Sequence, residues 1–155
     1  MPGQHAEATA ATRSLAHESA VVLLAAYRTV ESFRRHLAAH HGVGTQDIRA
    51  LSRIAEGNHV TPKALAESLD LTTGSVTSLV DKLESAGLVQ RTPHPHDRRS
   101  LQLELTPDGV TKMNALYAEF EAQVQKAVSA VPEEQVRAAN EYLAVVARTI
   151  RTRGD

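Results

Sequence analysis

No cysteine occurs in the 155 residues, which excludes disulfides, thiolate metal ligands and a thiol redox switch. Tryptophan is absent and aromatic residues make up 3% of the chain, so few rings are available for stacking. The most apolar stretch, Ala20 to Tyr27, falls far short of the roughly 18 residues that a membrane span requires. The N-terminus has no basic segment followed by an apolar core, so no signal peptide is expected and the cytoplasm is the default location. An excess of one charge is missing too: 17 Lys and Arg against 18 Asp and Glu give a formal net charge of −1. This excludes a protein that coats nucleic acid through bulk positive charge, while a few local cations can still serve a docking face. Nucleophile-elbow, GxGxxG and Walker-loop patterns are absent as well. Neither an enzyme nor a cofactor is therefore expected. What remains, 42% hydrophobic and 23% charged, is ordinary for one globular domain with or without helical extensions.

Taken in order, residues 1–12 are Ala/Thr-rich without periodic apolar residues and are expected to form a flexible tail. Residues 13–44 turn helical, with Leu23, Tyr27, Val30 and Leu37 in a 3-4 spacing. Apolar residues on its other faces (Val21, Val22, Leu24) suggest contacts beyond its own domain. Gly42 and Gly44 stop it. Thr45 is expected to cap a second helix whose buried stripe is Ile48, Leu51, Ile54 and Ala55. Thr61-Pro62, a cap followed by proline, opens a third, and Asp70-Leu71-Thr72 is a tight connection into a fourth. There Val76, Leu79, Val80 and Leu83 form one apolar face. Beyond Gly87 the alternation of Leu101, Leu103 and Leu105 with polar residues is the period of a half-buried strand. With Leu88–Arg91 it makes a hairpin whose charged tip, reached through Pro93 and Pro95, is Asp97-Arg98-Arg99. Thr106-Pro107-Asp108 starts a long helix carrying Val110, Met113, Tyr117, Phe120, Val124 and Val128 in a near-heptad stripe. Pro132 precedes a last helix with Val136, Leu143, Val146 and Ile150 on one face. The predicted fold is mainly α with a small β-hairpin wing: a winged helix-turn-helix over 45–105 between an N-terminal helix (13–44) and C-terminal helices (106–155).

With its apolar face buried, the fourth helix presents Thr73, Gly74, Ser75, Thr77, Ser78, Asp81 and Lys82 outward. A helix about 10–12 Å across fits the major groove, about 12 Å wide, only if its outer face is slim. These small side chains are slim, and their hydroxyls can donate and accept. The free N–H groups at Thr72 suit phosphate, and Lys82 is expected to meet the DNA backbone. Arginine in the wing suits a narrow, negatively charged minor groove, with Asp97 placed to pair with Arg99. The same residues could be a plain solvated surface. However, bare Ser, Thr and Gly lower helix propensity without a local gain, a cost that makes sense at a functional surface. His36 and His40, four apart, have a spacing that can ligate metal, but no third ligand is assignable and no metal is expected. His94 and His96 are expected to be solvent-exposed.

Leu65-Ala66-Glu67, Leu71, Val76-Thr77, Leu79-Val80-Asp81-Lys82-Leu83-Glu84, Gly87-Leu88-Val89, Arg91, Asp97-Arg98-Arg99 and Leu105-Thr106-x-x-Gly109 together resemble the MarR family of bacterial transcription regulators. The resemblance covers Thr61 to Gly109. It implies a homodimer joined through the first and last two helices, here through Leu23, Tyr27, Val124, Val128, Leu143, Val146 and Ile150. It further implies a sequence-specific regulator of double-stranded DNA on a pseudo-palindromic operator, a repressor released by a small aromatic or phenolic effector. The DNA contacts implied are Thr61, Thr72, Thr73, Gly74, Ser75, Thr77, Ser78, Lys82, Arg91, Asp97, Arg98 and Arg99, with Arg99 in the minor groove. Without cysteine the chain departs from the family's thiol-based peroxide sensors. The alternative function is a winged-helix dimer used for protein contact or ligand binding without specific DNA readout.

Overall fold

The computed structural model describes residues 2–57, 59–95 and 97–151, with side chains for 11–57, 59–95 and 100–150. Its elements are α1 (Pro2–His40), α2 (Thr45–Glu56), α3 (Pro62–Leu69), α4 (Thr73–Ser85), β1 (Val89–His94), β2 (Asp97–Leu105), α5 (Pro107–Val128) and α6 (Glu133–Arg151). They fall into two compact units, Met1–Val110 and Thr111–Asp155. The helical architecture with one antiparallel hairpin is the one the sequence predicts.

Local chemistry explains most boundaries. Thr61 caps α3, its Oγ1 accepting from the Ala64 amide at 3.1 Å, with Pro62 at the first helical position where no donor is needed. Asp70 then reverses the chain in the left-handed region (φ 55°) and donates its amide to the last carbonyls of α3, a conformation that Asp tolerates better than most residues. Thr72 caps α4, its side chain accepting from the Ser75 amide. Thr106 links two elements: its hydroxyl donates to the Gly87 carbonyl at 2.5 Å and accepts from the Gly109 amide at 3.0 Å. Gly109 is required there, because a Cβ would lie 2.0 Å from the Leu88 carbonyl oxygen.

The core of the first unit lies between α2, α3, α4 and the hairpin. Ala50, Leu51, Leu65 and Val80 are fully buried, and Val76, Leu83, Val89 and Leu103 nearly so. Leu79 is only half-buried, so the apolar face of α4 rests on Val76, Val80 and Leu83.

Four expectations need correction. The flexible tail is instead the start of α1, which runs from Pro2. Apolar periodicity is a signal of packing, and an Ala-rich segment can be helical on propensity alone. Thr45 is the first residue of α2 rather than its cap. Gly44 holds the cap position, and the side chain of Asp47, third in the helix, accepts its amide. Ala55 is exposed, while Ala50 and Asp47 are buried. Finally, β2 does not alternate simply. Leu101 is exposed and Leu105 half-buried, whereas Gln102 and Leu103 are both buried. The register with β1 is regular over these residues and shifts only at Pro93/His94, while β2 is flanked on its other edge by Val60, whose carbonyl accepts the Leu103 amide at 2.7 Å. Gln102 is satisfied by His59 Nδ1 at 2.5 Å and by its own donation to Glu104 at 2.8 Å.

Candidate nucleic-acid interface

The exposed side of α4 is the one the sequence predicts: Thr72, Thr73, Gly74, Ser75, Thr77 and Ser78 are all exposed. Their hydroxyls are already oriented. Thr72 Oγ1 accepts from the Ser75 amide at 3.2 Å and lies 2.9 Å from Ser75 Oγ. Thr77 donates to the Thr73 carbonyl at 2.8 Å and Ser78 to the Gly74 carbonyl at 3.1 Å. Back-bonding of this kind uses the proton of each hydroxyl and leaves lone pairs facing out. Thr77 and Ser78 thus present acceptors, suited to the exocyclic amines of cytosine or adenine, unless they rotate and give up the helical bond. Gly74 is open: a Cβ built there meets nothing within 4 Å. No packing inside the chain calls for glycine at that point.

The groove between α3 and α4, about 650 Å³, is lined by Lys63, Glu67, Asp70, Leu71, Thr73 and Thr77 among others. Its two carboxylates distinguish it from a phosphate cradle. Thr61, at the start of α3, is half-buried and occupied with its own cap.

Two of the expected DNA cations are ion-paired within the chain. Arg91 on β1 pairs with Asp81 at 2.6 Å and with Glu84, both on α4, and its side chain is 25% exposed. The hydrogen bond to Asp81 raises its pKa, burial opposes this, and the charges of Glu84 and Asp81 add to the rise. Arg91 therefore fastens the base of the hairpin to α4. Lys82 places Nζ 2.5 Å from Oδ2 of the buried Asp47. Sequence patterns assigned both cations to DNA because their partners lie on other elements; nothing local reveals them.

At the wing, the backbone of Asp97, Arg98 and Arg99 opens β2, while their side chains, and the expected Asp97–Arg99 pair, lie outside the described residues, as does His96. His94 is half-buried rather than exposed, its ring centroid 5.4 Å from that of His59. On α1 the His36 and His40 rings lie 6.3 Å apart, and His40 and His41 5.0 Å.

The residues expected at a dimer interface are largely uncovered. In the first unit Tyr27 is 62% exposed and Leu23 half-buried, with Leu15, Val21, Val22 and Leu24 also exposed. In the second, Val124, Val128, Leu143 and Ile150 are exposed and Val146 half-buried. Among the described residues no helix is long and apolar enough to cross a membrane.

A helix-turn-helix that buries one face of its second helix, keeps the other slim and hydroxyl-bearing, and continues into a hairpin defines a winged-helix DNA-binding protein. Residues 41–100 match the MarR family. The HTH-type transcriptional regulator MhqR of Bacillus subtilis is 27% identical over 123 residues, 79% of this chain and 85% of its own. Among solved structures, a MarR family protein from Bacillus stearothermophilus superposes with a TM-score of 0.78 over 90% of this chain and 96% of its own, at 18% identity. NadR in complex with 4-hydroxyphenylacetate does so with a TM-score of 0.66 over 82% and 90%, at 23% identity. Residues 41–100 are thus a DNA-binding region of the MarR type, and the chain has the fold of that family's solved structures.

Proposed function

We propose that this regulator acts in the cytoplasm as a homodimer that reads a pseudo-palindromic operator and represses transcription from it, without enzymatic activity. Each protomer would place α4 in the major groove through Thr72, Thr73, Gly74, Ser75, Thr77 and Ser78 and extend Arg98 and Arg99 along the minor groove. The observation that carries this reading is the pairing of opposite faces on one short helix. Val76, Val80 and Leu83 are buried to about 1% or less, so the bare hydroxyl face has a fixed direction, and Gly74 leaves it free of bulk. Two such helices on a two-fold axis must stand about 34–36 Å apart to enter successive major grooves.

A small aromatic or phenolic effector is proposed to release the DNA, as the solved NadR complex with 4-hydroxyphenylacetate suggests for a protein of the same fold. Such a molecule need only bind a mis-spaced dimer better than the DNA-competent one. Selection of bound sequences from random duplex DNA tests the reading. The expected product is an inverted repeat with half-site centres one helical turn apart. Enrichment of no sequence over the starting pool would contradict it.

A further inference from the structure

Asp47 is a carboxylate only 3% exposed, on the buried face of α2 with Ala50, Leu51 and Ile54. Burying a charge is costly unless it is paired and hydrogen-bonded, and Oδ2 of Asp47 is both. It accepts the Gly44 amide at 2.7 Å and the Lys82 ammonium at 2.5 Å. Those two donors belong to different parts of the first unit. Gly44 ends the short link from α1, whose other residues are bonded back to α1 through Val43 N to the Ala38 carbonyl at 3.0 Å and His41 N to the Leu37 carbonyl at 2.9 Å. Lys82 lies on the recognition helix. The link is closely built around the carboxylate: a Cβ at Gly44 would stand 3.2 Å from Oδ2, tighter than an ordinary van der Waals contact.

We propose that Lys82 is a positioning residue rather than a phosphate contact, and that the single oxygen Asp47 Oδ2 is the joint through which the end of α1 sets the orientation of α4. A chain of bonded groups runs from the last turn of α1 through Val43, Gly44 and Asp47 to Lys82. Movement of α1, the helix proposed to join the two protomers, is handed to the reading face at this oxygen. The anchoring of Lys82 also explains a cation with 62% of its side chain exposed that is nonetheless committed to a partner inside the protein. The proposal rests on the reading of α4 as the major-groove helix, and it makes a further claim that holds without DNA.

The test combines Lys82→Met and Asp47→Asn, singly and together, in the full chain. In the free protein, the Gly44 amide exchanges with solvent at least about fivefold faster in Lys82→Met, because the buried carboxylate has lost its counter-ion and draws in water. On duplex carrying the selected operator, each single variant binds roughly tenfold more weakly and the double variant no more weakly than either, the non-additivity expected of one joint. The slope of log affinity against log salt stays at the parent value in all three. A phosphate contact made by Lys82 would instead make that slope shallower by about 0.9 for each half-site in both variants that carry Lys82→Met and leave it unchanged in Asp47→Asn, which overturns the proposal while leaving the DNA-binding reading intact. An unchanged Gly44 exchange rate overturns it whether or not the protein binds DNA. Should Asp47→Asn fail to fold, Lys82→Met decides alone through the Gly44 exchange rate and the salt slope.

Discussion

Gly74 sits in the first turn of α4, where alanine would fit without touching anything. Glycine in a helix costs up to about 1 kcal/mol relative to alanine, so its presence has to be explained by something outside the chain. In the proposed complex with DNA, the close approach of a base edge or phosphate supplies that explanation. Gly74→Ala is expected to raise stability by about 0.5 kcal/mol in urea denaturation while weakening operator binding at least about tenfold. Equal or tighter binding by the alanine variant would remove the reason given for the glycine. Arg91 illustrates the opposite case, a cation held for internal use. Its pKa is raised above the ordinary arginine value, chiefly by Asp81. The stability it contributes is therefore complete below the unfolded-state value and is lost only as pH rises through the still higher folded value. Between pH 7 and 10 the guanidinium stays charged in both states. The difference in urea midpoint between the parent and Arg91→Met should correspond to about 1 kcal/mol and should not change over that range. A difference that vanished by pH 10 would assign the stabilisation to some other group.

At the scale of elements, α4 is defined by what surrounds it: a cap at Thr72, three core residues beneath, Arg91 fastening it to β1 and Lys82 fastening it to α2. Much of this was legible in the chain. Thr61-Pro62 and Thr72 announce helix starts because capping chemistry is local, and Val76, Val80 and Leu83 announce the buried face because their spacing matches the helical period. The fastenings were not legible. Asp47 and Lys82 are separated by 35 residues, and patterning assigns any surface lysine near a reading face to the ligand. Gln102 was misread for a related reason: strand alternation assumes one covered face, and the bond to His59 covers a position that the hairpin alone would leave wet. The wing is the second element proposed to read DNA. Arg99→Ala is expected to weaken operator binding by about 1–3 kcal/mol, measured as a shift in dissociation constant at fixed salt. Unchanged affinity would take the wing arginine out of the interface.

At the scale of the molecule, the apolar residues left uncovered on α1 and on α5–α6, Tyr27, Val124, Val128, Leu143 and Ile150 among them, need a covering that the proposed second copy provides. Placing a charge on that surface opposes association, because the charge would have to be buried unpaired. Leu143→Glu should shift the 16.8 kDa chain from dimer toward monomer in sedimentation equilibrium, raising the dimer dissociation constant by at least about 100-fold. Loss of operator binding should accompany it. A variant that stays dimeric would place the interface elsewhere.

In the proposed complex two recognition helices are held at one fixed separation and engage one face of a duplex together. The most direct measurement compares affinity for the selected operator with affinity for the same operator carrying five extra base pairs between its half-sites. That insertion turns the second half-site to the opposite face of the helix, and affinity should fall to the level of an operator with only one half-site. Equal affinity for the two duplexes would contradict the account, because each recognition helix would then be binding on its own.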